Sequence, residues 1–420
     1  VTTAVAQRVR RGRLAVAVTA AALVLAACGV GGATGTDGGG AGADGLDGAG
    51  GGPGATVPKV SRAVIRITPQ DGTAAVPATG PLVVTADRGR LTQVRVADAA
   101  GAPVPGRISE DGHAWRPAGA LALQTRYTVD ALAQDSDGRR AAKHAVFTTV
   151  VPQHRFIGFY SPEAGQTVGT GMIVSVVFNR PIADRVAVER AITVTAAPAV
   201  PVAGHWFGDR RLDFRPQHFW APGTRVTVRL RLRDVPAAHG VYGSQDKDVT
   251  FTVGRSQTSV VDAARHTMAV RRDGRVVRTL PVSAGSPQHA TYGGWMVITE
   301  KLPVTRMNGD TVGYGGEYNI PDVPHAMRLT RSGTFVHGNY WAPPGVFGTA
   351  NTSHGCIGLR DVKGGGGTTP AGWFFDSSLV GDVVEVVGSH DATVAADNGL
   401  GGWNLTWAQW LAGSALRHPR

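Results

Sequence analysis

Only two cysteines occur in the 420 residues, Cys28 and Cys356. Two thiols, one of them near the amino end, do not make a disulfide framework. Long apolar runs are as scarce. Apart from Leu14 to Leu25, no stretch approaches the roughly 20 residues that a membrane-spanning helix needs, so the remainder is expected to be soluble. Helical periodicity is nearly absent from residues 59–253, which leaves short strands as the elements there. Acidic residues are outnumbered, 31 Asp and Glu against 42 Lys and Arg, for a net charge of +11. A basic chain suits an anionic cell envelope and says nothing about fold. No nucleic-acid motif accompanies the charge, and nucleic acid is not an expected partner. The length allows about two to four domains.

The amino end has the layout of an export signal. Arg8, Arg10, Arg11 and Arg13 precede the apolar run. Taking away residues 1–27 removes four arginines and no acid, which brings the charge from +11 to +7. The run closes with Leu25-Ala26-Ala27-Cys28, which resembles the lipobox of bacterial lipoproteins. That resemblance implies cleavage before Cys28, a lipid on its sulfur, and an extracytoplasmic protein tethered to the membrane. Cys356 is then a single free thiol in an oxidising compartment, a liability unless its reactivity is used. Residues 28–58 are Gly- and Ala-rich with Asp37, Asp44 and Asp47 among them, too apolar-poor to fold. As a coil at roughly 5–6 Å × √n, this linker spans on the order of 30 Å, enough to lift the folded part towards the wall.

Residues 59–253 repeat themselves. Trp115-Arg116-Pro117 and Thr125-Arg126-Tyr127-Thr128-Val129 match Phe214-Arg215-Pro216 and Thr224-Arg225-Val226-Thr227-Val228 at a constant offset of 99 residues. Thr68-Pro69 and Gly72 return as Ser161-Pro162 and Gly165. A strand-rich unit of about 100 residues fits an immunoglobulin-like sandwich. Two are expected in tandem, 59–150 and 151–253. Residues 254–390 form a third strand-rich unit. Ser259 to Val270 and Arg275 to Val282 read as a hairpin closed by Arg272-Asp273-Gly274. Residues 301–325, rich in Gly and carrying Tyr314 and Tyr318, read as a lid-like hairpin. Asp382 to Val387 reads as the closing strand. A tail, 391–420, carries Trp403, Trp407 and Trp410 and is expected to pack back on the third unit.

The chemistry concentrates at Ser353-His354-Gly355-Cys356, with His337-Gly338 sixteen positions before the serine. A thiol attacks a carbonyl as the thiolate, an imidazole takes its proton, and main-chain N–H groups in a tight turn hold the oxyanion. His337 ends a strand-like run. His354, two residues from Cys356, shares a face with it if the segment is extended. Gly355 permits close approach of the backbone.

This pattern resembles the active-site motif of the L,D-transpeptidases, the YkuD-type enzymes that cross-link peptidoglycan. The order of lipobox, linker, two immunoglobulin-like domains, catalytic domain and Trp tail is similar to the large actinobacterial members. The resemblance implies a mainly β protein in which Cys356 is the nucleophile and His337 the base. The Gly338 carbonyl orients the imidazole, His354 and Ser353 support the site, and the N–H groups of Gly355 and Cys356 form the oxyanion hole. It implies Tyr318, with Tyr314 beside it, on the substrate side. It also implies peptidoglycan stem peptides as partners, 3→3 cross-links through a thioester, carbapenem acylation, and no metal or organic cofactor. Two positions depart from the family: Gly338 stands where serine is frequent, and Gly358 where Asn or Arg is, so a hydrogen bond from that side chain is either absent or replaced by Arg360 or by Asn351, which is placed on the substrate side.

Other readings compete. Cys356 as a buried structural thiol is one; a zinc site of His337, His354 and Cys356 is another, without the paired spacing of most zinc motifs. Water as acceptor would give an L,D-carboxypeptidase. A wall-binding lipoprotein without catalysis is the rival from another class. Arg225, Arg229, Arg231 and Arg233 share one strand face, read as solvated rather than as a dock for anionic wall polymers. His205, His218, His266 and His289 show no partner spacing.

Overall fold

The structure, a computed structural model, describes residues 60–416 except Pro81 and Tyr314. Cys28, the preceding signal segment and the Gly-rich linker lie outside the described residues. No helix among those described is long and apolar enough to cross a membrane.

Alternation builds the first sandwich. In Arg126–Gln134, Tyr127, Val129, Ala131 and Ala133 turn inward while their neighbours face out. That strand pairs with Arg90–Asp98 and Arg140–Thr148 in one sheet, and Val64–Thr68, Val83–Asp87, Ala114–Pro117 and Gly106–Ile108 form the other. Between them lie Ile65, Val84, Trp115, Val129 and Phe147. The second sandwich repeats the plan with strands 158–161, 174–178, 202–207 and 211–216 facing strands 167–168, 192–197, 225–231 and 246–253. The sequence repeat is also a hydrogen-bond repeat. Gly72 N–H donates to Val146 O and Gly165 N–H to Thr250 O, each at 2.8 Å, from turns with φ of 76° and 78°. The arginine face of Arg225–Arg231 is exposed. Arg231 pairs with Asp248 at 2.5 Å and Arg233 with Asp246 at 2.9 Å. Such surface pairs contribute about 0–1 kcal/mol.

The tail docks on both neighbours: residues 392–404 pack on the third unit as expected, with Val394 buried in its core, whereas the helix lies on the second sandwich. The helix Trp407–Ala412, closed by a Thr406–Gln409 capping box, lies on the strand Val202–Phe207. Trp410 is fully buried in that sandwich's core, and its indole N–H reaches Ala203 O at 2.9 Å. The partner that the tail finds there is Arg215. Its guanidinium lies 4.6 Å from Trp403, 5.4 Å from Trp407 and 4.5 Å from Trp410, and donates to Leu405 O at 2.9 Å. Burial lowers its pKa to about 10, so it stays charged at neutral pH. On the third unit, Val394 N–H donates to Gly293 O at 2.9 Å, Asn398 bonds Ser332 at 2.8 and 3.0 Å, and Asn404 exchanges two hydrogen bonds of 2.8 Å with the Trp295 backbone. Gly169 and Gly171 N–H groups of the second sandwich also donate to Val380 O and Gly381 O at 2.7 and 2.9 Å.

In the third unit, nine described strands form one curled sheet, in the order 294–297, 383–387, 257–262, 267–272, 275–283, 357–360, 335–339, 319–328, 300–308. The turn at Asp273-Gly274 has positive φ at both residues, the type I′ geometry that suits a two-residue hairpin. Ser259 to Val270 is two strands rather than one, broken at residues 263–266. Val383–Val387 is not an edge but an interior strand, parallel to Gln257–Asp262. Val383 and Val384, buried on opposite faces, with Val386 also buried, are why it sits there, and only Val387 at its end is exposed. The helix Pro370–Ser377, N-capped by Thr369, buries Ala371 and Phe374 in the core beneath the sheet.

Candidate active site

The strand Phe335–Asn339 is buried at every position, and its neighbour Ile357–Arg360 runs parallel to it. The register pairs Val336 with Ile357 and His337 with Gly358. Cys356 therefore sits one residue before its strand begins, beside the strand that carries His337 and Gly338. His337, Ser353, His354 and Cys356 line one cavity of about 340 Å³, together with Tyr318, Met307, Ile320 and Trp341.

His337 is 4% exposed. Its Nδ1 lies 2.9 Å from Gly338 O. A carbonyl only accepts, so Nδ1 carries the proton and Nε2 keeps its lone pair. The Trp341 ring stacks on the imidazole at 5.6 Å with an 11° interplanar angle. Burial pushes the His337 pKa below its usual 6.5, against the opposing pull of the Gly338 hydrogen bond and the Asp361 charge. Cys356 is half-buried, and its thiol donates to Gly333 O at 3.5 Å. Burial pushes this thiol up to about 11, with a main-chain hydrogen bond at Phe335 and the Arg328 charge acting the other way. The resting pair is thus a neutral thiol and a neutral imidazole.

Ser353 clamps the turn. Its hydroxyl donates to Cys356 O at 2.5 Å and accepts from Gly355 N–H at 3.2 Å. Gly355 has a φ of 103°, which a side chain would strain. The turn is tied to its neighbours by Ser353 N–H to Ala284 O at 3.1 Å and Ser286 N–H to Ser353 O at 2.8 Å. His354 Nε2 reaches the Glu317 carboxylate at 2.9 Å, and the Tyr318 ring lies 5.0 Å from the His354 ring. Tyr314 lies outside the described residues. Asn351 does not line the cavity. Its side chain binds the Ala284 N–H, Ala263 O and His266 Nδ1 at 2.8 to 2.9 Å, fixing the loop before the motif. Arg360 is exposed.

Sequence reasoning missed the support behind His337. Asp361, its side chain 0% exposed, takes His325 Nδ1 at 2.7 Å. It also accepts from the Thr369 hydroxyl at 2.8 Å and its neighbour's N–H, that of Val362, at 2.9 Å. A Cβ at Gly338 would stand 1.9 Å from Asp361 Oδ2. Glycine is required at 338 because the carboxylate fills the space a serine would use. Trp341, Glu317 and His289 were also missed; no linear spacing joins them to the motif.

A thiol, an imidazole with a free acceptor nitrogen and a fixed tautomer, and a cavity over both are the parts of acyl transfer through cysteine. Residues 256–386 match the L,D-transpeptidase catalytic domain family, YkuD, and residues 73–236 match a bacterial Ig domain family. L,D-transpeptidase 2 of Mycobacterium tuberculosis is 35% identical over 364 residues, which cover 86% of this chain and 85% of the relative. L,D-transpeptidase 5 of the same species is 32% identical over 358 residues, 84% of this chain and 77% of the relative. The solved structure of an LD transpeptidase in complex with imipenem is 32% identical, spans 56% of this chain and 100% of that one, and superposes with a TM-score of 0.47. Identity at this level runs along most of both chains, and the catalytic-domain match falls on the unit that carries Cys356 and His337; the chain belongs to the L,D-transpeptidase family.

Proposed function

We propose that Cys356 is the nucleophile and His337 the general base of a transpeptidase that makes 3→3 cross-links between peptidoglycan stems. The carrying observation is the shared cavity in which the Gly338 carbonyl fixes the His337 tautomer beside the Cys356 thiol. In the first step the sulfur attacks the carbonyl of the third stem residue, a diamino acid, as its proton passes to His337 Nε2. The Cys356 N–H holds the oxyanion, joined by Gly355 N–H once it lets go of the Ser353 hydroxyl. Collapse breaks the bond to the terminal D-Ala, whose amine leaves with the proton from His337. A side-chain amine of a second stem then attacks the thioester, gives its proton to His337, and releases the cysteine. Ser353 holds the turn, His354 flanks the thiol, and Tyr318 meets the incoming stem.

The proposal extends to organisation. Residues 59–150 and 151–253 act as spacers between a lipid anchor at Cys28 and the catalytic unit 254–390, with the tail 391–420 bracing the second spacer. Cys28 and the linker carry the enzyme at the outer face of the membrane.

Intact mass after imipenem treatment tests the nucleophile. The expected result is a single adduct on the wild-type chain and none on Cys356→Ala. An adduct that survives the substitution overturns the assignment. Incubation with two stems tests the transfer: dimer formation is expected, and D-Ala release without dimer would make the enzyme a carboxypeptidase.

A further inference from the structure

At the rim of the cavity, three side chains from three separate segments converge. His289 comes from the loop after the strand Arg275–Ser283, Glu317 from the tip of the hairpin 300–328, and His354 from the motif itself. Glu317 Oε2 lies 2.9 Å from His354 Nε2 and 3.5 Å from His289 Nε2. The three ligand-capable atoms all fall within 4.8 Å of one another. The two imidazoles are stacked, with ring centres 4.9 Å apart and planes 29° apart, so both present the same ring edge to one carboxylate oxygen. Their side chains are 29%, 48% and 33% exposed for His289, Glu317 and His354, so an ion can enter and a water can complete the shell.

We propose that His289, Glu317 and His354 form a site for a borderline divalent cation, Zn²⁺ in the first instance, that closes the hairpin tip onto the turn carrying Cys356. Two imidazoles and a carboxylate are the donors zinc takes in sites with an open fourth position. Magnesium and calcium prefer oxygen-only shells, which this set does not offer. Bonds of about 2.0–2.1 Å in a tetrahedron set ligand atoms roughly 3.3 Å apart. The 2.9 and 3.5 Å separations straddle that value, so small side-chain shifts suffice. The consequence follows from position. With the ion bound, Glu317 and the adjoining Tyr318 are held at the mouth of the cavity, and a stem or a carbapenem reaches the thiol more slowly. The site is distinct from the thiol and stands whether or not Cys356 is the nucleophile.

Zinc titration of the full chain carrying Cys356→Ala, in competition with a chromophoric chelator, reads the site without the thiol. One zinc per chain is expected, with at least tenfold weaker binding in His289→Ala and in Glu317→Gln on the same background. No binding to the Cys356→Ala chain, or affinities that neither substitution changes, overturns the proposal. The clamp has its own readout in chains that keep the cysteine. Zn²⁺ is expected to slow imipenem acylation of the wild type, and a chelator to restore it. His289→Ala should acylate at the wild-type rate and lose the zinc response. If zinc slows His289→Ala equally, the metal acts through the thiol and the clamp is wrong.

Discussion

His337 and His354 line the same cavity and are held in contrasting ways. His337 lies on a strand buried at every position, with its Nδ1 fixed by a main-chain carbonyl and the Asp361–His325 pair packed behind the next residue. His354 is one-third exposed on a glycine turn, and its partner is a carboxylate from the tip of a hairpin. A proton acceptor needs one tautomer and one direction, and main chain supplies both without side-chain entropy to lose. The other wall is made of partly exposed side chains brought together from separate segments. One wall is built for chemistry and the other for access.

The comparison breaks most readily at the histidines. Removing a positioned general base costs typically about 10²–10⁴-fold. His337→Ala should therefore lower imipenem acylation by at least about 10²-fold with circular dichroism unchanged. His354→Gln should cost about tenfold or less. Equal losses would erase the distinction between the walls.

The second test is pH. Burial holds His337 below 6.5 and Cys356 near 11. Neutral thiol and neutral imidazole therefore dominate between those values, the reverse of a preformed thiolate–imidazolium pair. The acylation rate should be level across neutral pH and fall about tenfold per unit only below the His337 pKa. An acid limb centred above 6.5 would place the proton on the imidazole in the resting enzyme and contradict the buried wall.

A smaller effect is expected at Asp361. The substitution Asp361→Asn keeps the shape and removes the charge that supports a protonated His337. The acid limb should then move to lower pH, and the rate on the plateau should fall a few-fold as the base weakens. Loss of a charged partner for His325 should also lower stability by about 1–3 kcal/mol, read by urea unfolding. An acid limb that stays in place would show that Asp361 supports the fold alone.

The legible part of this site is the part that is contiguous. Ser353, His354, Gly355 and Cys356 fold into one turn, and His337 lies on the adjacent strand, so the linear motif carries them together. Asp361 and His325 meet only because the strands 319–328, 335–339 and 357–360 stand side by side with the helix Pro370–Ser377 packed against them. No spacing in the sequence encodes that order. Gly338 reads in the sequence as a missing hydroxyl; in the structure it is room for a carboxylate. The two sandwiches were legible from their repeat, including the glycine turns at 72 and 165. The docking of the tail's helix on the second sandwich was not. Arg116 and Arg215 occupy equivalent repeat positions, yet Arg116 is exposed and Arg215 is caged by tryptophans. Alternation along a strand shows which face points away from its own core, and it says nothing of a segment nearly 200 residues later that covers that face.

The smallest expected effect belongs to Glu317. Its contacts with His354 and His289 involve side chains that are between about a third and a half exposed, where an ion pair contributes about 0–1 kcal/mol. With divalent cations chelated, Glu317→Gln should change imipenem acylation by less than about fivefold, in keeping with that ceiling. The change should fall on the concentration dependence of the rate rather than on its saturated value, because the hairpin tip governs entry and not proton transfer. A loss in the saturated rate as large as that of His337→Ala would put Glu317 in the proton path. The exposed wall would then carry chemistry as well, and the division between the two walls would have to be abandoned.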